Sequence, residues 1–180
     1  MSMLKLEILT ESTASESAAP MMSGIKKRLG FVPNLFGVIA NSPIALKAYS
    51  ELTAALSETS FTPVEQHVIA VAVSHANGCT YCTAAHGTIL KMVGADAATI
   101  SAVAEGRAVP DPKLEALRQV TTKMVTKRGW LDDAEDIRPF LAAGYRQEQL
   151  LEILIGVALK TISNYTNHIA KTPIDPQFGG

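Results

Sequence analysis

The hydrophobic positions of this chain recur at helical spacing almost throughout, and no segment alternates cleanly between apolar and polar residues. The pattern therefore predicts an all-α fold, a compact multi-helix domain without a sheet. We expect helices near residues 17–29, 34–40, 43–58, 63–76, 79–93, 96–105, 112–128, 133–143 and 147–170.

Start and stop signals support these bounds. A capping side chain followed by a proline, which lacks the N–H that a first turn leaves unpaired, begins helices at Ser42-Pro43, Thr62-Pro63 and Asp111-Pro112. Glycines, which accept the left-handed conformation of a helix end, follow the predicted helices at Gly94, Gly106, Gly129 and Gly144.

The last predicted helix has little polar surface, because residues 150–162 are mostly Leu, Ile, Val and Ala. A helix that is apolar nearly all round is buried in its domain or at a subunit contact, so we expect a homo-oligomer. We predict one domain over residues 1–180. Residues 1–16 and 172–180 are predicted to be arms that lie on a neighbouring subunit.

Composition narrows the function. The chain has 180 residues, of which 47% are hydrophobic and 18% charged, and this composition indicates a folded domain. Its net charge is −1, so nothing in the charge favours nucleic acid or a membrane surface as a partner. Its first residues lack the apolar core of a signal peptide, and its apolar stretches are too short to cross a bilayer. The two cysteines form one C-x-x-C, which in a reducing compartment is usually catalytic or metal-binding. We therefore expect a cytoplasmic location.

The C-x-x-C lies where a helix is predicted to begin. Asn77 and Gly78 favour a break in the chain, so Cys79 and Cys82 fall in the first turn of the next helix, where the dipole favours a thiolate. The spacing puts both thiols on one face, close enough for a disulfide after modest adjustment. His86 follows one turn later and can accept a thiol proton directly or through water.

Three interpretations of this pattern remain open at this point. The pair could be a redox centre, or it could simply pack in the core. It could also bind a metal together with two histidines, although on one continuous helix His75 and His86 would lie too far apart to share one tetrahedral ion. The four residues of that alternative are His75, Cys79, Cys82 and His86.

The segment from Val68 to His86, VIAVAVSHANGCTYCTAAH, resembles the active-site segment of the alkylhydroperoxidase D-like and carboxymuconolactone decarboxylase-like family. The flanks VPNLFGVIANSP and LKTISNYTNHIAKTPID resemble its peroxidase-related branch, over about residues 28–175. The resemblance implies a thiol peroxidase with antioxidant, peroxiredoxin-type activity. Its substrate would be a hydroperoxide and its reductant an external dithiol, without a metal or an organic cofactor.

The resemblance also implies residue roles. Cys82 would attack the peroxide, Cys79 would resolve it as a disulfide, and His86 would carry the proton. The glutamate that relays this proton in the best-known members is replaced here by His67, and Glu65 stands two residues earlier. These two positions point to nearly opposite sides of a helix. Glu65 has a structural alternative, because it completes a capping box with Thr62.

Four further residues are weaker candidates beside the thiols: His75, Tyr81, Asn164 and His168. Each has a structural alternative in packing, a helix end or a subunit contact. Two other functions stay open. One is an acid–base decarboxylase of the same superfamily, which would not need the paired thiols, and the other is a non-enzymatic redox sensor or an oligomeric interaction module.

Overall fold

The computed structural model describes residues 5–179 and contains nine α-helices and no strand within that range. The predicted all-α fold is therefore confirmed. Residues 1–4 and Gly180, which belong to the predicted arms, lie outside the described residues. The helices are α1 (Ala19–Leu29), α2 (Asn34–Ile39), α3 (Pro43–Ser57), α4 (Pro63–Ala76), α5 (Thr80–Met92), α6 (Ala97–Ala104), α7 (Pro112–Thr126), α8 (Arg138–Ala142) and α9 (Gln149–Ala170).

The predicted start signals work as expected. The side chains of Ser42, Thr62 and Asp111 each accept a hydrogen bond from a backbone N–H in the first turn that follows. All four predicted helix-end glycines have positive φ angles. The helices that precede them end within a few residues of the predicted positions.

The predicted helix at 133–143 is less regular than expected. A π-turn spans Asp133–Ile137 before α8 begins. Pro139 has no N–H to offer the carbonyl of Glu135 four residues earlier. Lys123 donates to that carbonyl instead, at 3.1 Å. The irregularity is thus compensated by a side chain from α7.

Helix α4 forms the centre of the domain. Every residue from Val68 to Ser74 is buried, and α4 packs against α5, α7 and α9. Gly156 lets α9 approach closely, since a Cβ atom there would lie 2.6 Å from the Ile69 side chain. Because α4 and α9 lie in contact, side chains from α9 reach the end of α4 where the C-x-x-C begins.

Helix α9 has two different faces, whereas the sequence suggested burial nearly all round. Its inward face includes the buried polar residues Lys160, Ser163, Asn164 and Asn167. Its outward face carries exposed apolar side chains: Leu151, Leu154, Tyr165 and Ile169. This exposed stripe is consistent with the predicted homo-oligomer, which stays a prediction.

The described parts of both terminal segments contact their own chain. Near the N-terminus, the Leu9 N–H donates to the Gly37 carbonyl at 3.1 Å. Near the C-terminus, Asp175 accepts hydrogen bonds from the Asn34 N–H and the Tyr81 hydroxyl. Within residues 5–179, no helix combines the length and the hydropathy that crossing a membrane requires.

Candidate active site

The two thiols lie at the start of α5, as the sequence predicts. Gly78 adopts a φ of 68° and turns the chain between α4 and α5. Cys79 is the N-cap residue of α5, and Cys82 falls in its first turn. Both are free thiols and nearly inaccessible, with exposed fractions of 2% and 1%. A partner that reacts with them must therefore enter through a cavity.

Side chains of α9 surround the sulfur of Cys82. The Nδ2 atom of Asn167 lies 3.3 Å from this sulfur and 3.9 Å from that of Cys79. The Cys82 sulfur is also 3.7 Å from the Ser163 hydroxyl, and the two thiols are near enough to shift each other's pKa. One amide group thus contacts both cysteines, which are mutually adjacent.

A fully buried lysine lies beside this pair. The Nζ atom of Lys160 is 2.8 Å from Nε2 of His86 and near enough to Cys82 for the two groups to shift each other's pKa. Burial is the largest single effect and disfavours the ammonium ion, but the neighbouring thiol and phenol groups, Cys82 first among them, together outweigh it and raise the pKa of Lys160. A cation is therefore held against the thiol inside the domain.

The surroundings of the two thiols shift their pKa values in opposite directions. The pKa of Cys82 is lowered to about 5, first by the hydrogen bond from Cys79 and then by the charge of Lys160, against the opposing effect of burial. The pKa of Cys79 is raised, because it donates the hydrogen bond to Cys82 and is itself buried. The arrangement therefore favours the thiolate on Cys82 and the thiol on Cys79.

Two histidines continue the row of polar groups away from the sulfur. Nδ1 of His86 lies 3.0 Å from Nδ1 of His67, and both side chains are partly exposed. Burial and the Lys160 charge lower the pKa of His67 to about 4 and that of His86 well below its usual value. Both imidazoles are therefore neutral around pH 7.

The structure brings His67, and not Glu65, to His86. The Glu65 carboxylate accepts hydrogen bonds from Thr62, which complete the predicted capping box, and from the Tyr145 hydroxyl at 2.8 Å. Burial raises the pKa of Glu65, but these hydrogen bonds outweigh it and hold the pKa below its usual value. Lys113 lies 3.6 Å from the same carboxylate. Glu65 thus occupies a structural position.

Two of the weaker candidates are buried near the thiols. The hydroxyl of Tyr81 donates to Asp175 and lies 3.3 Å from the Leu35 N–H, which ties the residue between the cysteines to the C-terminal segment. Asn164 accepts a hydrogen bond from Asn77 at 2.9 Å and donates one to the Ser74 hydroxyl at 3.2 Å, and its proximity helps to lower the pKa of Cys82. Its burial within its own chain excludes the subunit-contact alternative for this residue.

The other two weaker candidates are exposed. His75 lies in the last turn of α4, with its Nδ1 atom 3.2 Å from the Ala104 carbonyl. His168 stacks on Tyr165 near the end of α9. His75 and His86 thus face different neighbours, and no group of three or more His, Cys, Asp or Glu side chains between residues 5 and 179 is arranged to hold a metal ion.

Two cavities meet at Cys79. The larger, about 610 Å³, is a groove between α5 and α6 with mainly apolar walls. The smaller, about 270 Å³, lies between the start of α5 and the end of α9. Gly78, Cys79 and Thr80 line both cavities, whereas Cys82 lines neither, so Cys79 is the thiol that is reached from two sides.

The α9 residues Lys160, Ser163 and Asn167 are the part of the site that the sequence reasoning missed. A lysine in an otherwise apolar helix, with polar residues three and seven positions later, is a signal that was available. Together they form a polar stripe on one helical face. The stripe indicates an inward polar site when the rest of the helix packs in a core.

Residues 43–123 match the model of the carboxymuconolactone decarboxylase family. No curated protein matches the sequence significantly. Solved structures match along nearly the whole chain. One is an alkylhydroperoxidase core described as an uncharacterized peroxidase-related protein from Ralstonia eutropha JMP134, with 24% identity, a TM-score of 0.84, and coverage of 95% of this chain and 92% of that chain.

A peroxidase-related protein from Silicibacter sp. TM1040 has 20% identity, a TM-score of 0.84, and coverage of 98% and 93%. The debrominase Bmp8, as a cysteine-to-alanine variant in complex with 2,3,4-tribromopyrrole, has 21% identity, a TM-score of 0.81, and coverage of 99% and 96%. These similarities confirm the predicted family resemblance and the alkylhydroperoxidase-like fold.

Proposed function

Because the central helices carry a carboxymuconolactone decarboxylase family match and the chain has an alkylhydroperoxidase-like fold, we propose that this protein is a thiol peroxidase. It reduces hydroperoxides through Cys82 and Cys79 at the expense of an external dithiol. The observation that carries the proposal is the contact set of Cys82. Its sulfur lies 3.3 Å from an amide donor, and the neighbouring Cys79 thiol and the buried Lys160 ammonium ion both lower its pKa.

The first step uses the lowered pKa of Cys82. Its thiolate attacks the terminal oxygen of R–O–O–H, the O–O bond breaks, and the products are a sulfenic acid and the alkoxide RO⁻. The sulfur is oxidised by two electrons and the peroxide is reduced by two. Asn167 and Cys79 orient the thiolate by hydrogen-bonding to it.

The alkoxide then needs a proton, and Lys160 supplies it. While Cys82 is ionised, its negative charge keeps the buried Lys160 protonated. The sulfenic acid is neutral, so the ammonium ion loses its counter-charge and burial now favours release of the proton. The adjacent imidazoles of His86 and His67 lead from Lys160 to a partly exposed position, through which the proton is restored.

The second step closes the cycle. The Cys79 sulfur attacks the Cys82 sulfenic acid and forms a disulfide, and the departing hydroxide takes the thiol proton to give water. An external dithiol then reduces the disulfide by thiol exchange. Since Cys79 lines both cavities, its sulfur is the one that the reductant reaches first.

The test measures consumption of cumene hydroperoxide with dithiothreitol as the reductant. We expect multiple turnovers in the wild type and none in Cys82→Ser or Cys79→Ser. Only Cys79→Ser should accumulate a sulfenic acid that a trapping reagent labels. The chain has two cysteines, so the double variant is a thiol-free control for background reaction.

The outcomes separate the alternatives. Consumption of one peroxide per chain, even with excess dithiol, would indicate a redox sensor. Full activity in Cys82→Ser would reject the cysteine mechanism and leave acid–base chemistry of the decarboxylase type.

A second candidate, reductive debromination, is favoured by the similarity to a debrominase along 99% of the chain. The Cys82 thiolate would take bromine from a ring carbon, and that carbon would take a proton. Cys79 would then displace bromide and form the same disulfide. Bromide release from a brominated pyrrole, measured beside peroxide consumption in the same variants, distinguishes the two activities.

A further inference from the structure

Cys82 is more completely enclosed than Cys79. Its side chain is 1% exposed, and it lines neither of the two cavities that reach Cys79. Asn167 and Ser163, which lie against its sulfur, belong to the long helix α9 that packs on α3 and α4. A reagent that reacts at Cys82 therefore requires some part of its surroundings to move, and α9 is poorly suited to do so.

The C-terminal segment, residues 172–179, covers the first turn of α5 from outside the core helices. Ile174 and Phe178 pack against the apolar cluster that contains both cysteines. The Phe178 ring meets the Tyr81 ring edge-on, with the ring centres 6.2 Å apart. Thr172, at the start of the segment, forms part of the wall of the smaller cavity. The segment thus closes the same end of the domain at which the thiols lie.

One buried carboxylate holds this segment in place. Asp175 is 4% exposed and accepts hydrogen bonds from the Asn34 N–H and from the Tyr81 hydroxyl. Asn34 begins α2 directly after Pro33, whose side chain cannot accept a hydrogen bond, so Asp175 supplies the cap of this helix. The Asn34 side chain in turn donates to the Pro173 carbonyl at 3.1 Å. A few polar contacts therefore attach the segment to α2 and to the residue between the two cysteines.

A sharp turn joins the segment to α9. Lys171 has a φ of 52°, a left-handed conformation that residues other than glycine seldom adopt. Helix α9 ends at this turn, and the chain after it takes a different direction. Movement about Lys171 leaves α9 in place, together with the contacts that Lys160 and Asn167 make in the site.

We propose that the C-terminal segment is a gate over the reactive pair, hinged at Lys171 and held shut by Asp175. When the gate opens, the first turn of α5 loses the cover of Ile174 and Phe178, and reagents reach Cys82 through the enlarged smaller cavity. The closed gate protects the buried thiolate from unselective reaction. This inference concerns the access of any reagent to Cys82, so it goes beyond the proposed peroxidase function and does not depend on it.

The test measures how fast iodoacetamide alkylates Cys82 in a Cys79→Ser background, in which Cys82 is the only thiol. At pH 9, far above the Cys82 pKa of about 5, the rate reports access rather than ionisation. Asp175→Ala removes the acceptor that holds the gate, and Asp175→Asn keeps an acceptor oxygen. Asp111→Ala is the matched control, because it removes the same kind of carboxylate cap from α7.

We expect Asp175→Ala to raise the alkylation rate about 10-fold to 100-fold, because the loss of two hydrogen bonds to a carboxylate increases the open population. Asp175→Asn should raise it by less, and Asp111→Ala should leave it unchanged. Amide hydrogen exchange in Asp175→Ala should accelerate in residues 172–179 and at the start of α2, while α9 stays protected.

A wild-type alkylation rate in folded Asp175→Ala would overturn the gate. So would an equal rise in Asp111→Ala or faster exchange along α9, since either means that unfolding of the domain exposes the thiol. If Asp175→Ala does not fold, Asn34→Ala removes the contact with Pro173 and should raise the rate about 2-fold to 10-fold, and an unchanged rate there rejects the gate equally. Failure of the wild type to consume hydroperoxide would reject the proposed function and leave the gate standing.

Discussion

Lys160→Met is the most informative single change, because it removes the buried cation and keeps a side chain of similar length. An opposite charge within hydrogen-bonding range typically lowers a pKa by about 1–3 units. The pKa of Cys82, about 5 in the wild type, should therefore rise to about 6–8 in the variant. The hydrogen bond from Cys79 remains and prevents a complete return to the usual thiol value.

The sign of the pH dependence follows directly. A thiolate is lost as pH falls through its pKa, so wild-type peroxide reactivity should decline only below about pH 5. The variant should decline at higher pH, and near pH 6 a rise of about two units leaves roughly one-tenth of the thiolate. A tenfold slower reaction with peroxide is therefore expected at that pH.

The assay follows the ultraviolet absorbance of the thiolate and the rate of peroxide reaction across pH. Lys47→Met is the matched control, because Lys47 is exposed and forms an ion pair with Glu51 on its own helix. An unchanged pKa of Cys82 in a folded Lys160→Met variant would refute the reasoning that a buried ammonium ion supports the thiolate.

Three further predictions concern other parts of the molecule. Glu65→Gln should lower the free energy of unfolding by about 1–2 kcal/mol through the weakened capping box, without changing the peroxide rate, in denaturant titrations; a large loss of rate in a fully folded variant would return Glu65 to the relay. Gly87→Leu extends a side chain into open space in the larger groove, so it should slow cumene hydroperoxide more than hydrogen peroxide in parallel assays, and equal slowing would contradict a role of the groove in substrate size. Leu154→Glu places a charge in the exposed apolar stripe of α9 and should weaken self-association in light scattering, whereas a monomeric wild type at micromolar concentration would remove the basis for the predicted homo-oligomer.

The helices were predictable because their signals are local. Capping at Thr62 and the turn at Gly78 depend on residues within a few positions, so the start of α5 and the face shared by the thiols followed from the sequence. The irregular turn before α8 did not, because it depends on Pro139 together with Lys123 from another helix.

Only the part of the site that lies on a single helix was predictable from the sequence. Cys79, Cys82 and His86 lie on one helix, and spacing relates them. Lys160 and Asn167 reach the sulfurs from a helix almost eighty residues further along the chain, and only the packing of α9 on α4 determines this contact. The choice between His67 and Glu65 as the neighbour of His86 also depends on packing, because it requires knowing which side of α4 faces His86.

The row of nitrogen atoms that runs from Lys160 through His86 to His67 has a direction. An ammonium group has donors only, so Nε2 of His86 must accept, its Nδ1 must carry hydrogen, and Nδ1 of His67 must accept in turn. Both rings are thus held in defined tautomers by a charge that itself depends on ionised sulfur. Oxidation of the buried thiol removes that constraint, and the ¹⁵N resonances of the outer imidazole should report the redox state of a cysteine that this ring does not touch.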